Sequence, residues 1–382
     1  MKALKLTCIM LAIPLFLTGC WNYREIETMS IVSGMAIDKG RSGYKYHITY
    51  QYADITGNAD QGIKPALVES DGDTLFDATR NAISQVEKKL FFSDCKIVVI
   101  SKDLAQEGIV PLLDWFLRDA ETRITVECIV SDEEKASDLL KQEPNTEKIS
   151  AFTINRIIDN SVKHLGKFPD MALYKVNSVL NGKGISLVLP LMAMRDSATP
   201  KAPEIIGTAV FKGDKMIGSL DDMDSRYLMY IKNQLKGGLI IANINSKENN
   251  TTLEISKSKT KCTPSVDMAT GKASIKLKVE TEANIAEENS EGTNISDLGI
   301  EAVQDYVAQN VKTGIINLIK KVQSEYKSDI FGFGSCIYKN EPEYWKKYGE
   351  QWDKIFPTVE VEADVKIKIN NTAVANLRKK EE

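Results

Sequence analysis

The sequence predicts an α+β fold: a body of two to three mixed α/β domains, with hairpin-rich sheets and one long helix in its C-terminal half. Three observations carry this. Short apolar or alternating runs recur along the chain, separated by glycine- and aspartate-rich turns. Amphipathic stretches and strand pairs are interspersed in both halves, which argues against a wound parallel sheet. The 382 residues leave room for two or three domains at the usual ~100–200 residues each.

The elements follow in order. Met29 to Ile37 is apolar and rich in β-formers, and Tyr44 to Tyr52 alternates aromatic or β-branched residues with polar ones. Asp38 to Gly43 supplies the turn between them, so the two read as a hairpin. Gly57 to Gly72 is polar and reads as a surface loop. Asp73 is placed to cap a helix whose apolar stripe is Leu75, Thr79, Ala82, Ile83, Val86 and Leu90. Lys96 to Ile100 is a continuous apolar strand, and Gly108 to Arg118 a helix with Pro111 in its first turn. Arg123 to Val130 is the next strand. Ser150 to Leu165 is a helix stopped by Gly166, with Pro169 beyond. Ile185 to Met194 returns as a strand.

Arg195 to Pro203 lacks apolar content and holds two prolines, so a linker is expected at 198–204. It divides an N-terminal α+β region, 20–197, from a C-terminal one, 205–382. Ile205–Phe211 and Lys215–Gly218 form a strand pair about the Gly213-Asp214 turn. A helix from Ser225 to Lys236 follows, then strands Leu239–Ile244, Thr252–Ser256 and Ala273–Ala283. The longest helix runs from Ser296 to about Tyr326, with Val303, Val307, Val311, Ile315, Leu318, Ile319 and Val322 along one face. A short aromatic helix around Tyr344–Trp352 and a strand, Val359–Ile369, close the chain. No self-similarity at a period of about 20–50 residues is visible.

Composition narrows the function. The formal net charge is −4, which argues against a nucleic-acid partner. Lys257 to Lys261 reads as a solvated strand edge. The two histidines, His47 and His164, stand beside no cysteine or carboxylate at metal spacing, so no metal site is expected. No nucleophile elbow, zincin motif or phosphate loop is present, and the reading is a non-enzyme without cofactor. Gly332-Phe333-Gly334 reads as a tight turn needing positive φ, ahead of a strand-like stretch. Asp221-Asp222-x-Asp224 reads as a cap for the following helix rather than a calcium loop. Cys95, Cys128, Cys262 and Cys336 read as buried thiols, with a disulfide among them left open.

The N-terminus carries the clearest signal. Lys2 and Lys5 precede an apolar run from Leu6 to Leu17, too short for a membrane span of about 20 residues. Leu17-Thr18-Gly19-Cys20 closes it and resembles the lipobox of bacterial lipoproteins. The resemblance implies cleavage after residue 19 and a diacylglyceryl group on the Cys20 thiol. Two acyl chains hold durably, at about 0.8 kcal/mol per buried methylene. Trp21, Tyr23, Arg24 and Glu25 would then lie at the headgroups, where amphipathic rings suit the interface. Packing of Trp21 on the first domain is the alternative.

An ordered set of motifs resembles the Ger(x)C family, the lipoprotein C subunits of spore germinant receptors. It begins at Cys20-Trp21-x-x-Arg24-Glu25 and Ile31-Val32-x-Gly34-x-x-Ile37-Asp38, then Leu113-Asp114-x-Phe116-x-Arg118-Asp119-x-Glu121-x-Arg123. It continues at Gly207–Lys212 and Lys215-Met216-x-Gly218-x-Leu220. It is sharpest at Asp329–Gly334, followed by Trp345, Trp352 and Phe356-Pro357. Asp94 departs from the histidine that the family often carries before the Lys96–Ile100 strand. The resemblance implies an elongated, non-enzymatic lipoprotein on the outer face of the spore inner membrane. Its implied partners are an A subunit with membrane spans and a transporter-like B subunit, and its implied role is nutrient-triggered germination. Candidate contacts are Trp21, Arg24 and Glu25, and the aromatics Phe331, Phe333 and Trp345, for which core packing is the alternative. A surface-tethered solute-binding lipoprotein is the competing function. Whether nutrient binds this chain directly is open.

Overall fold

The computed structural model describes residues 25, 28–54, 64–142, 148–196, 201–243, 250–289 and 299–370. The expected signal, Cys20, Trp21 and Arg24 lie outside the described residues. The fold is mixed α/β, built on two sheets.

Among the described residues the first sheet has nine strands. They are β1 (Met29–Lys39), β2 (Tyr46–Asp54), β3 (Lys64–Gly72), β4 (Lys89–Phe91), β5 (Ile97–Ser101), β6 (Glu127–Ser131), β7 (Val188–Arg195), β8 (Ala202–Lys212) and β9 (Lys215–Leu220). The order is β3-β2-β1-β5-β6-β7-β8-β9, with β4 paired to β1. Hairpins form both flanks, but β1, β5, β6 and β7 run parallel in the middle. The continuous apolar run of β5 follows from that position. Val98 and Ile100 face one core with Met35 and Ile37, while Ile97 and Val99 face another with Ala36. A strand buried on both faces needs apolar residues at every position.

Helices cover both faces. α1 (Leu75–Ala82), α2 (Lys102–Glu107) and α3 (Val110–Arg118) put Leu75, Leu104, Leu112 and Phe116 into the first core. α4 (Asp138–Lys141) and α5 (Ser150–Asn160) put Leu139, Ile154 and Ile158 into the second. α6 (Leu173–Leu180) returns to the first through Leu173 and Val176. Gly166 takes φ +60 where a left-handed residue ends the helical stretch through Leu165.

Two expectations fail in this region. Gly57 to Gly72 is not all loop, because Lys64–Gly72 is the outer strand β3, paired along its length with β2. Its exposed residues hide it: an edge strand buries only alternate side chains, here Val68 and Ser70, and tolerates Pro65 near its start. The helix after it is capped by Thr74, whose side chain accepts from the Asp77 amide, not by Asp73. It stops at Ala82, and Leu90 belongs to strand β4.

The second sheet is β10 (Leu239–Asn243), β11 (Asn250–Val266), β12 (Ala273–Asn289) and β13 (Glu360–Asn370), in that order. β12 and β13 are parallel and the other pairs antiparallel. Lys257 to Lys261 therefore lies in an interior strand, with its lysines on the exposed face rather than at an edge. α7 (Asp222–Ile231) begins at the Asp221 cap, whose carboxylate accepts from the Asp224 amide, as expected. The long helix is α8 (Ile300–Lys321), and its predicted stripe from Val303 to Ile319 is buried against the sheet. α9 (Phe333–Asn340), α10 (Pro342–Tyr348) and α11 (Trp352–Ile355) lead into β13. Among the described residues no helix is long and apolar enough to cross a membrane.

Between the halves the sheet is continuous. Residues 202–204 at the start of β8 pair with β7, so the hairpin β8–β9 extends the first sheet. Phe211 enters the first core, while Val210 and Leu220 enter the core of the second half.

Candidate functional site

The most highly organised polar site is at Asp329, where the two halves meet. Asp329 precedes α9, and its carboxylate accepts from the amides of Gly332 (2.9 Å), Phe333 (3.1 Å) and Gly334 (2.7 Å). These are first-turn amides that a helix cannot satisfy internally. The Trp352 indole N–H donates to the same carboxylate at 3.0 Å. The residue is 4 % exposed. Burial pushes its carboxyl above the usual range, against the four donors, which favour the charged form. Lys232 lies near: its Nζ donates to the Ile330 carbonyl at 3.1 Å, and enclosure of the ammonium pushes it down to about 8.

The same segment is fastened to the first half through the backbone. The Ser186 amide donates to the Asp329 carbonyl (2.7 Å), and the Ser335 amide to the Gly184 carbonyl (2.8 Å). Ser328 Oγ donates to the Phe211 carbonyl at 2.7 Å. Gly184 has φ +64, and a Cβ there would stand 2.4 Å from the Gly334 carbonyl carbon. Both positions therefore require glycine. Gly332 takes positive φ as expected, but it opens a helix rather than preceding a strand-like stretch.

Phe331 and Phe333 are 6 % and 1 % exposed, with ring centroids 5.1 Å apart, and both pack on Phe356. Trp345 is half-buried, between Tyr338 and Trp352. Glu25 is exposed, and its carbonyl accepts from Thr28. Cys95 and Cys128 are buried, and burial pushes the Cys95 thiol up to about 12. Cys262 and Cys336 are only half-buried, which departs from four buried thiols.

The sequence alone did not single out Gly184 or Lys232, nor the capping role of Asp329. An aspartate three residues ahead of Gly-Phe-Gly is a capping signal once α9 is known to start there. The weak apolar periodicity of Gly334–Asn340 concealed that start. His47 is buried in β2 between Asp71 (3.0 Å) and Glu69 (3.3 Å), both on the edge strand β3.

A groove of about 920 Å³ lies between α7, α8 and β10. Arg226, Tyr227 and Tyr230 line it, with Met223, Ile240 and Val311 as apolar walls. Arg226 Nε and the Tyr230 hydroxyl are buried there without a hydrogen-bond partner among the described residues. Among the described residues no cluster of His, Cys, Asp and Glu has the makings of a metal site.

The fold defines a two-sheet α+β body whose halves meet at a glycine-built joint. Residues 22–194 match the model for the spore germination protein N-terminal domain, and 206–373 the model for the spore germination B3/GerAC-like C-terminal domain. In Bacillus subtilis (strain 168), spore germination protein YndF is 27 % identical, over 97 % of this chain and 96 % of its own. Spore germination protein KC has the same identity and coverage, and spore germination protein B3 is 24 % identical over 97 % and 98 %. The crystal structure of the GerBC protein superposes with a TM-score of 0.56 at 19 % identity, covering 90 % of this chain and 99 % of that one, which shows the fold. The chain belongs to the Ger(x)C family of spore germination proteins.

Proposed function

We propose that the chain is the membrane-anchored C subunit of a nutrient germinant receptor. A diacylglyceryl group on Cys20 holds it at the outer face of the spore inner membrane. There it acts in assembly and in nutrient-triggered signalling through contacts with the receptor's A and B subunits. The observation that carries this is the full-length, in-order match of both halves to spore germination proteins. The joint at Asp329 supports it: a segment bonded to both halves lets a contact on one bear on the other. Tethering raises effective concentration without any new contact, so modest contacts suffice. Trp21, Arg24, Glu25 and the half-buried Trp345 are the contact candidates, while Phe331 and Phe333 act by supporting the joint from inside.

The test is a pull-down from dormant-spore membranes with the native chain and with Cys20→Ala as baits. Native bait should recover a polytopic transporter-like protein and a second membrane subunit, and the variant should lose membrane retention and germination response. Recovery of neither partner by a bait firmly in the membrane would overturn the reading.

The groove favours a second reading, solute binding by a tethered lipoprotein. Arg226 at its wall supplies a cation that suits a small carboxylate. Calorimetric titration of the purified chain with small carboxylic and amino acids distinguishes the two. Saturable heat abolished by Arg226→Gln would favour binding.

A further inference from the structure

Cys262 and Cys336 are far apart in sequence and adjacent in the fold. Cys262 is on β11 and Cys336 on α9, and both are free. The Cys336 S–H donates to the Cys262 carbonyl oxygen at 3.4 Å, which sets the Cys336 sulfur against residue 262. Both are half-buried, so a small reagent can reach them, whereas Cys95 and Cys128 are enclosed. We propose that Cys262 and Cys336 form a redox-active dithiol, which a hydroperoxide closes to a disulfide that fastens α9 to β11 beside the joint.

The surroundings assign the roles. Cys336 is the attacking sulfur. The neighbouring Cys262 thiol is the largest influence favouring its anion, the Lys339 charge adds to it, and Asn340 Nδ2 lies 3.8 Å away. Together they hold the Cys336 thiol below its usual range, against burial and the Asp329 charge. The nearness of Cys336, with burial, holds the Cys262 thiol up, so it stays protonated until needed. A low-lying, accessible thiolate beside a second thiol is the arrangement of a redox-sensing pair.

The chemistry balances in two steps. Cys336 sulfur attacks the peroxide, the O–O bond breaks, and a sulfenic acid forms, the thiol proton leaving with the displaced alcohol or water. Cys262 sulfur then attacks the Cys336 sulfur. The S–O bond breaks, the S–S bond forms, and the hydroxyl departs as water with the Cys262 proton. Two thiols lose two electrons and one peroxide is reduced. The product ties residue 336, two positions from Gly334, to the sheet, and so stiffens the contact of Gly334 with Gly184.

The test uses the purified full-length chain in detergent, fully reduced and then exposed to hydrogen peroxide, with peptide mapping by mass spectrometry. The expected product is a 262–336 cross-linked peptide, reversed by dithiothreitol, with Cys95 and Cys128 still free. In Cys262→Ser, dimedone should trap sulfenic acid at Cys336. In Cys336→Ser, oxidation of Cys262 should slow by at least roughly tenfold. Circular dichroism checks that both serine variants fold, and if either does not, the wild-type cross-link decides alone. Over-oxidation of wild-type Cys336 without a cross-link, or a 262–336 pair no faster to react than Cys95, would overturn the proposal.

Discussion

Two buried carboxylates show how different surroundings set a residue's worth. Asp329 has a donor for each lone pair it presents: the Gly332 and Phe333 amides on Oδ1, the Gly334 amide and the Trp352 indole on Oδ2. Asp329→Asn keeps the shape but turns an amide NH₂ toward two N–H donors, whichever way it flips. The expected cost is about 2–4 kcal/mol in urea unfolding, because buried donors lose their acceptor. A loss under about 0.5 kcal/mol would mean that the cage is not a cohesive unit. Glu127 is the opposite case. Its Oε2 is buried without a hydrogen-bond partner among the described residues, and burial, with the Asp170 charge adding to it, pushes the carboxyl up to about 7. The folded state therefore holds this proton more tightly than the unfolded one. The stabilisation is fully present below the ordinary glutamate pKa of 4.5 and is lost as pH rises through about 7. Glu127→Gln should remove that slope, so that above pH 7 the variant is the more stable by on the order of 1–3 kcal/mol. Denaturation curves for both proteins at pH 5 and pH 8 would check it, and parallel pH dependence would refute it.

At the scale of elements, the joint depends on α9 lying against the turn at Gly184. The Ser335 amide reaches the Gly184 carbonyl only because neither Gly184 nor Gly334 carries a Cβ. Gly184→Ala adds left-handed strain and an overlap with backbone that cannot move aside, at a cost of about 3 kcal/mol. Gly213→Ala is the control: φ is +60, but nothing lies within 4 Å, so only about 1 kcal/mol of strain remains. The expected calorimetric result is one transition for wild type and Gly213→Ala, and two for Gly184→Ala as the halves uncouple. A single transition in all three would show that the β7–β8 pairing alone couples them. This joint also marks where sequence reading stops. Period and capping made α7, α8 and the β8–β9 hairpin legible, because local chemistry decides them: the Asp221 cap, the stripe from Val303, the turn at Gly213. β3 was not legible, since an edge strand buries too little to show alternation. Nor was the partner of Gly334, because a contact across 150 residues of chain leaves no periodic trace. The motif Asp329–Gly334 could be marked by resemblance, but its work as a cap and clasp needed the fold.

For the whole molecule, what matters is where the body sits relative to its neighbours. If Cys20 carries the anchor, the stretch from Cys20 to Met29 limits the first strand to within roughly 30 Å of the headgroups, even fully extended. On the proposed function the chain depends on that confinement, because a tether would set the concentration its partners experience. Inserting about 30 Gly/Ser residues between Glu25 and Met29 leaves the lipid site and the fold untouched. It allows the body an added r.m.s. reach of about 30 Å. Effective concentration falls roughly as the −3/2 power of tether length, or about tenfold for this insertion. Spores carrying it should keep normal membrane levels of the chain yet germinate several-fold more slowly, by loss of optical density after nutrient addition. On the proposed anchor, Cys20→Ala should instead release the chain from the membrane, so the two variants separate anchoring from distance. Wild-type germination with the long tether would mean that the contacts are tight enough to form without confinement. The short membrane-proximal stretch would then have no part in setting the response.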